Sequence, residues 1–109
     1  MDFLDYQRGT SETAIYPGAG TQSLPAVSYT ILGLVGEAGE IANKFKKVLR
    51  DGRVDILKDL PDELGDVLWY MARLAEELGT TLDDVAAHNL KKLQSRKERN
   101  VLSGSGDNR

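Results

Sequence analysis

The stretch that most constrains this chain is Ile31 to Arg50, ILGLVGEAGEIANKFKKVLR, which has helical periodicity and sets two carboxylates among apolar and small residues. At about 100° per residue, Ile31, Leu34, Ala38, Ile41, Ala42, Phe45, Val48 and Leu49 fall in one broad apolar arc. Glu37 and Glu40 lie side by side at one edge of that arc, and Lys44 and Lys47 continue their stripe. A second stretch, Leu60 to Leu78, repeats the pattern. Its arc is Leu64, Val67, Leu68, Met71, Leu74, Ala75 and Leu78, with Glu63 and Asp66 beside it in the same rotational sense. Packing of the two helices through their apolar arcs would bring all four carboxylates together across the seam.

The remaining punctuation gives four helices. Met1 to about Gly9 reads as a short helix, and Thr10 to Thr21, with Pro17, Gly18 and Gly20, as a connection without regular structure. Ser23 starts the long helix, since Pro25 is tolerated in a first turn. Gly33, Gly36 and Gly39 each lower helix propensity by roughly 1 kcal/mol relative to alanine, which suggests that something approaches the backbone closely. Asp51 and Gly52 end this helix. Arg53 to Lys58 is a connector in which Val54, Ile56 and Leu57 can pair briefly as a strand. Asp59 is the expected N-cap of the third helix and Gly79 its stop. Thr81 and Asp84 read as the cap of a fourth helix running to about Arg99, with Leu82, Val85, Ala86, Leu90 and Leu93 as its buried stripe. The fold class is all-α, a four- to five-helix bundle-like protomer. One domain spans residues 1–102, and SGSGDNR, residues 103–109, is a polar, flexible tail.

Composition narrows the function. A chain of 109 residues holds one modest core. The absence of cysteine and the single histidine, His88, exclude disulfides and a structural zinc site. No apolar run is long enough to span a membrane, and the first residues lack a secretory layout, so a cytoplasmic protein without membrane partners is expected. The formal charge of −3 and the mixing of basic with acidic residues argue against nucleic acid as a partner.

Carboxylates at i and i+3 point from one side of a helix. Two such pairs packed together repel unless water reaches them freely, and a hard divalent cation such as Mg²⁺ resolves the conflict. From periodicity alone a solvated acidic face, with Lys44 as a surface partner of Glu37 or Glu40, is the better fit. Asn89, Lys92 and Arg96 share one side of the fourth helix, where they suit a base or sugar and phosphates, or else a solvated face. Tyr70 lies near the rotational position of Glu63, as a pocket wall does, and Tyr29 sits on the acidic side of the long helix. Trp69 points elsewhere, toward a subunit contact. For both Trp69 and Tyr70, core or interface is the competing assignment. His88 has no carboxylate partner in sequence and reads as a surface or interface residue.

GLVGEAGEIANKFKK, residues 33–47, and DELGDVLWYMARLAEELG, residues 62–79, resemble the all-α nucleoside triphosphate pyrophosphohydrolases of the MazG-like family, including relatives of the dCTP pyrophosphatases. The resemblance extends from Tyr6 and Gln7 to the closing GSGDNR. It implies that Glu37 and Glu40, with Glu63 and Asp66, bind Mg²⁺, with Mn²⁺ as a substitute, and form the catalytic set. By the same resemblance Asn89, Lys92 and Arg96 face the nucleotide, joined by Tyr70 and Lys44. Many members carry two adjacent glutamates where this chain has Gly36 and Glu37, so one carboxylate of that pattern is absent.

The implied activity is hydrolysis of a nucleoside triphosphate, with deoxynucleotides and among them dCTP and dUTP foremost, to the monophosphate and pyrophosphate. Glu37 or Glu40 would take the water's proton, and the protein would be a homodimer or homotetramer. A non-catalytic nucleotide-binding regulator and a helical protein-interaction module are the alternatives.

Overall fold

A computed structural model describes the whole chain, residues 1–109. It is all-helical: α1 spans Phe3–Thr10, α2 Leu24–Asp51, α3 Leu60–Glu77 and α4 Leu82–Glu98, with 3₁₀ turns at Ser11–Thr13 and Val54–Asp59. No helix is long and apolar enough to cross a membrane. The connector before α3 is thus a 3₁₀ turn and not a strand, and it is anchored by the buried side chain of Ile56.

The helix ends follow local chemistry. Asp2, Ser23 and Thr81 cap α1, α2 and α4 by accepting the backbone N–H three residues on. Gly52 ends α2 at φ +67°, and Gly79 follows α3 at φ +75°. Asp59 differs from its expected role. Its backbone is already helical and its side chain makes no capping bond, because the 3₁₀ turn runs directly into α3.

The long helices α2 and α3 make the largest helix–helix contact, and they run antiparallel. Their contact takes in only part of the apolar arcs. Along α2 the packed stripe is Ala26, Thr30, Gly33, Glu37 and Lys44 with Leu34, Ile41 and Val48 from the edge of the arc, while Ile31, Phe45 and Leu49 of the arc stay substantially exposed, as do Leu32 and Val35. On α3 the arc residues Leu64, Met71 and Leu78 are likewise exposed, and on α4 Val85, Leu90 and Leu93 are, so the expected buried stripe of α4 closes only at Leu82. The reason lies at Gly33, where a Cβ would overlap the ring of Tyr70. Close approach at this missing side chain turns the edge of α2, and not its apolar centre, toward α3. Gly36 and Gly39, by contrast, have open space beside them.

The protomer is accordingly open. Only 12 of its 109 residues are buried. Its Cα radius of gyration is 16.7 Å, against about 13 Å for a compact domain of this length. The small apolar core of Ala72, Ala75 and Leu82 is flanked by Tyr6 and Leu68.

A buried polar network supplies what this core lacks. The Glu77 carboxylate accepts from the Tyr16 hydroxyl, from Gly20 N–H at 2.8 Å and from Gln22 N–H at 2.9 Å. Arg73, one turn earlier on α3, donates to the Tyr16 oxygen at 3.2 Å and to Thr10 Oγ1 at 3.3 Å. Gln7 donates to Glu76 and to the Thr80 carbonyl, and accepts Leu82 N–H at 2.7 Å. The segment between α1 and α2 is thereby tied to α3, and Gln22 is held at φ +58°, a backbone conformation that a non-glycine residue adopts only when its surroundings fix it.

Burial alone would raise the Glu77 pKa, but the Tyr16 hydroxyl, the two N–H groups and Arg73 together hold it below the ordinary carboxylate range. A depressed carboxylate stabilises the fold above its unfolded pKa, and that stability is lost as pH falls through the folded pKa. Glu77→Gln is therefore expected to lower unfolding free energy by about 3 kcal/mol at neutral pH. Chemical denaturation at successive pH values checks this, since the deficit should shrink as the pH drops through the acidic range.

Candidate active site

The antiparallel register that begins with Tyr70 resting on Gly33 continues one turn along, where Glu37 of α2 meets Glu63 and Asp66 of α3. Carboxylate oxygens of these three residues all lie within 4.8 Å of one another. Glu37 and Glu63 are half-buried and Asp66 is exposed, so the trio is open on one side. Glu40 is not in this group. It projects one turn further along α2 and is exposed, because the face of α2 that meets α3 passes through Gly33, Glu37 and Lys44.

Lys44 reaches across the seam to Glu63, with Nζ to Oε1 at 2.6 Å. Its partner is thus on the other helix and not Glu37 or Glu40. Hydrogen bonding to Glu63 raises the Lys44 pKa and keeps the ammonium charged. Glu37 has no such partner. Burial first, then the charges of Asp66, Glu63 and Glu40, raise its pKa. Two unit charges about 4 Å apart repel by about 4 kcal/mol at an effective dielectric near 20, and one ammonium does not balance three carboxylates. Hard oxygen donors in an open, under-neutralised trio fit a divalent cation of the Mg²⁺ kind, which keeps part of its coordination for water or a substrate phosphate.

An aromatic wall adjoins the trio. Tyr16 stacks on Tyr29 with ring centroids 5.3 Å apart, Tyr29 tilts against Tyr70 at 6.5 Å, and Trp69 meets Tyr70 edge-on at 5.0 Å. Burial, then neighbouring Tyr29, with Glu37 and Asp66 adding to it, raises the Tyr70 pKa, so its hydroxyl remains a neutral donor beside the acids. Trp69 packs within its own chain, donating from Nε1 to Thr13 Oγ1 at 2.9 Å and lying edge-on to Tyr16.

The α4 residues lie elsewhere in the protomer. Asn89 lines a cavity of about 350 Å³ with Phe3, Leu68, Met71, Leu82 and Val85. Lys92 and Arg96 face Asp107 of the C-terminal segment, which folds back onto α4 and does not trail free as composition suggests. His88 is exposed beside them. The residues that sequence reading passed over are Tyr16, Arg73 and Glu77. An arginine and a glutamate four apart in ARLAEE, facing the same way as buried alanines, were their only signal.

Residues 26–101 match the family model of the MazG nucleotide pyrophosphohydrolase domain, a span that includes the carboxylate trio and the polar side of α4. The Gene 37 protein of Mycobacterium phage L5 is 58% identical over 109 residues, covering 95% of this chain and 96% of that protein. No solved structure matches the chain. On the family match and the acidic seam between α2 and α3, the chain belongs to the MazG nucleotide pyrophosphohydrolase family.

Proposed function

We propose that this protein hydrolyses nucleoside triphosphates, deoxynucleotides foremost, between the α and β phosphates in a Mg²⁺-dependent reaction. Water and the triphosphate give the nucleoside monophosphate and pyrophosphate. The observation that carries this reading is the convergence of Glu37, Glu63 and Asp66 within 4.8 Å without enough positive charge to neutralise them. Mn²⁺ suits the same oxygen donors. The chemistry that a divalent cation supplies when held there is neutralisation of the triphosphate oxygens and polarisation of the phosphorus toward attack.

The chain's own residues divide the remaining work. Glu40, exposed and outside the trio, is the carboxylate free to accept the proton of the attacking water. Lys44 fixes Glu63 through its ion pair and keeps two further N–H donors for a phosphate oxygen. Tyr70, with Tyr29 behind it, walls the site on the side where a nucleoside would lie. The preference for dCTP or dUTP is assigned on the resemblance of the motifs at residues 33–47 and 62–79 to those of dCTP pyrophosphatases.

Asn89, Lys92 and Arg96 are assigned to the nucleotide and its phosphates, and they project from a helix packed on α1 and α3 instead of α2. A second copy of the chain, seated on the uncovered arc of α2, would bury that arc and bring polar groups of one protomer toward the trio of the other. A homodimer, alone or paired into a homotetramer, is the assembly this reading requires.

Turnover over all ribo- and deoxynucleoside triphosphates, with pyrophosphate resolved from orthophosphate, tests the activity. The expected products are pyrophosphate and a monophosphate, and Asp66→Ala should lower kcat by at least about 100-fold with the helical content unchanged. Orthophosphate release, or full activity in Asp66→Ala, would refute it. The trio's charge conflict makes a separate prediction. Glu37→Gln should melt about 4 °C higher than the parent in chelator while losing most of the stabilisation that Mg²⁺ gives the parent, as read by calorimetry. For the assembly, Leu49→Glu, which puts a charge where a 75% exposed leucine stands on that arc, should convert the oligomer to monomer in sedimentation analysis.

A further inference from the structure

The C-terminal segment closes on itself. Arg109 donates to the carbonyls of Val101 and Leu102, each at 2.9 Å, while Arg99 donates to the carbonyl of Arg109 at 2.6 Å. This loop sets Asp107 over the basic side of α4. One carboxylate oxygen, Oδ1, lies 3.4 Å from Lys92 Nζ and 3.5 Å from Arg96 Nη2. Arg96 is 4% exposed. Its Nη2 also donates to the Asp107 carbonyl at 2.7 Å, but its Nε is buried with no partner. Beside them opens a cavity of about 370 Å³ lined by His88, Lys91, Lys92, Ser95, Asp107 and Asn108, with no apolar side chain.

The fit is loose for an ion pair. Charge-assisted N–H···O contacts close to about 2.7–2.9 Å, whereas here two cations share one oxygen at longer range and a buried guanidinium nitrogen goes unsatisfied. The Asp107 side chain is 85% exposed and keeps most of its water. A phosphate group presents three acceptor oxygens and more charge than one carboxylate, which suits the donors better. We propose that Asp107 is a built-in stand-in for a phosphate group: it occupies the Lys92 and Arg96 seat in the free chain, and a polyphosphate displaces it as the tail loop moves away.

The inference rests on the assignment of Lys92 and Arg96 to substrate phosphates and adds what limits their affinity. Because the tail is tethered, its carboxylate competes at a high effective concentration, and every phosphate ligand must first displace it. Weakly charged anions are thereby kept off the seat, and a triphosphate is admitted. Asp107 thus weakens ligand binding, and the same weakening hastens release of a product phosphate.

Calorimetric binding of inorganic tripolyphosphate to the full chain, in chelator and low salt so that the carboxylate trio takes no part, tests this. Asp107→Asn, an exposed and nearly isosteric change, should bind about three- to tenfold more tightly than the parent. Lys92→Ala should bind less tightly. In ¹⁵N relaxation of the parent, the amides of Gly104 and Gly106 should become mobile as tripolyphosphate saturates the protein. Unchanged or weaker binding by Asp107→Asn, or a tail that stays ordered at saturation, would overturn the stand-in while Lys92→Ala still weakens. Parental affinity in Lys92→Ala would instead overturn the phosphate assignment of α4, and the stand-in with it.

Discussion

The close approach of α2 and α3 at Gly33 is the contact on which the rest of this protein depends. With no side chain at that position the Tyr70 ring lies directly on the α2 backbone, and any Cβ there would collide with it. The contact fixes both the register of the antiparallel pair and the rotation of α2 about its axis. Register places Glu37 opposite Glu63 and Asp66, and rotation turns Glu37 inward and Glu40 outward. An alanine's worth of extra distance at Gly33 would loosen both, so the local loss of helix propensity is offset by what the approach positions.

Two acids, Glu77 on α3 and Glu37 on α2, show how their settings separate structure from function. Glu77 is buried and fully answered, with a hydroxyl, two backbone N–H groups and Arg73 around it, and its pKa is depressed. Glu37 is crowded by other carboxylates and unanswered, and its pKa is raised. The first arrangement stabilises the protomer by itself. The second is destabilising unless a cation joins it, and a fold keeps such a conflict where binding or catalysis gains from it. The two also communicate through packing, since Glu77 and Arg73 hold Tyr16, and Tyr16 stacks on Tyr29 beside Tyr70. The structural network thus braces the aromatic wall of the candidate site.

Much of this was legible in the sequence. Ser23, Gly52, Gly79 and Thr81 mark helix ends by local hydrogen bonding and backbone conformation, which depend on few neighbours. The pairing of Glu37 with Glu63 and Asp66 followed from spacing, and the motif resemblance agrees with the family match. What spacing did not show was which edge of α2 would face α3. The apolar arc pointed to the centre of its own face, whereas a single glycine and a single tyrosine decided the rotation, with the result that Glu40 lies outside the trio and Lys44 crosses to Glu63. Asp59 failed as a cap because the preceding 3₁₀ turn had already set its backbone. The tail looked free on composition because the arginines that fold it back belong partly to the tail itself, and glycine-rich sequence gives no periodicity from which to read such contacts.

The same rotation accounts for the openness of the protomer. By turning an edge inward, α2 gains the acidic seam and leaves Ile31, Phe45 and Leu49 of its arc outside, on the longest helix of the molecule. A chain that buries 12 of 109 residues has little apolar burial with which to oppose conformational entropy. Hydrogen bonds such as those of Glu77 contribute net increments of about 1–3 kcal/mol and substitute for a core only in part. The uncovered arc and the separation of the trio from the basic side of α4 are therefore two aspects of one geometry. Both follow from the choice of face at Gly33, and burial of the arc against a second copy would relieve the first while giving the second its use.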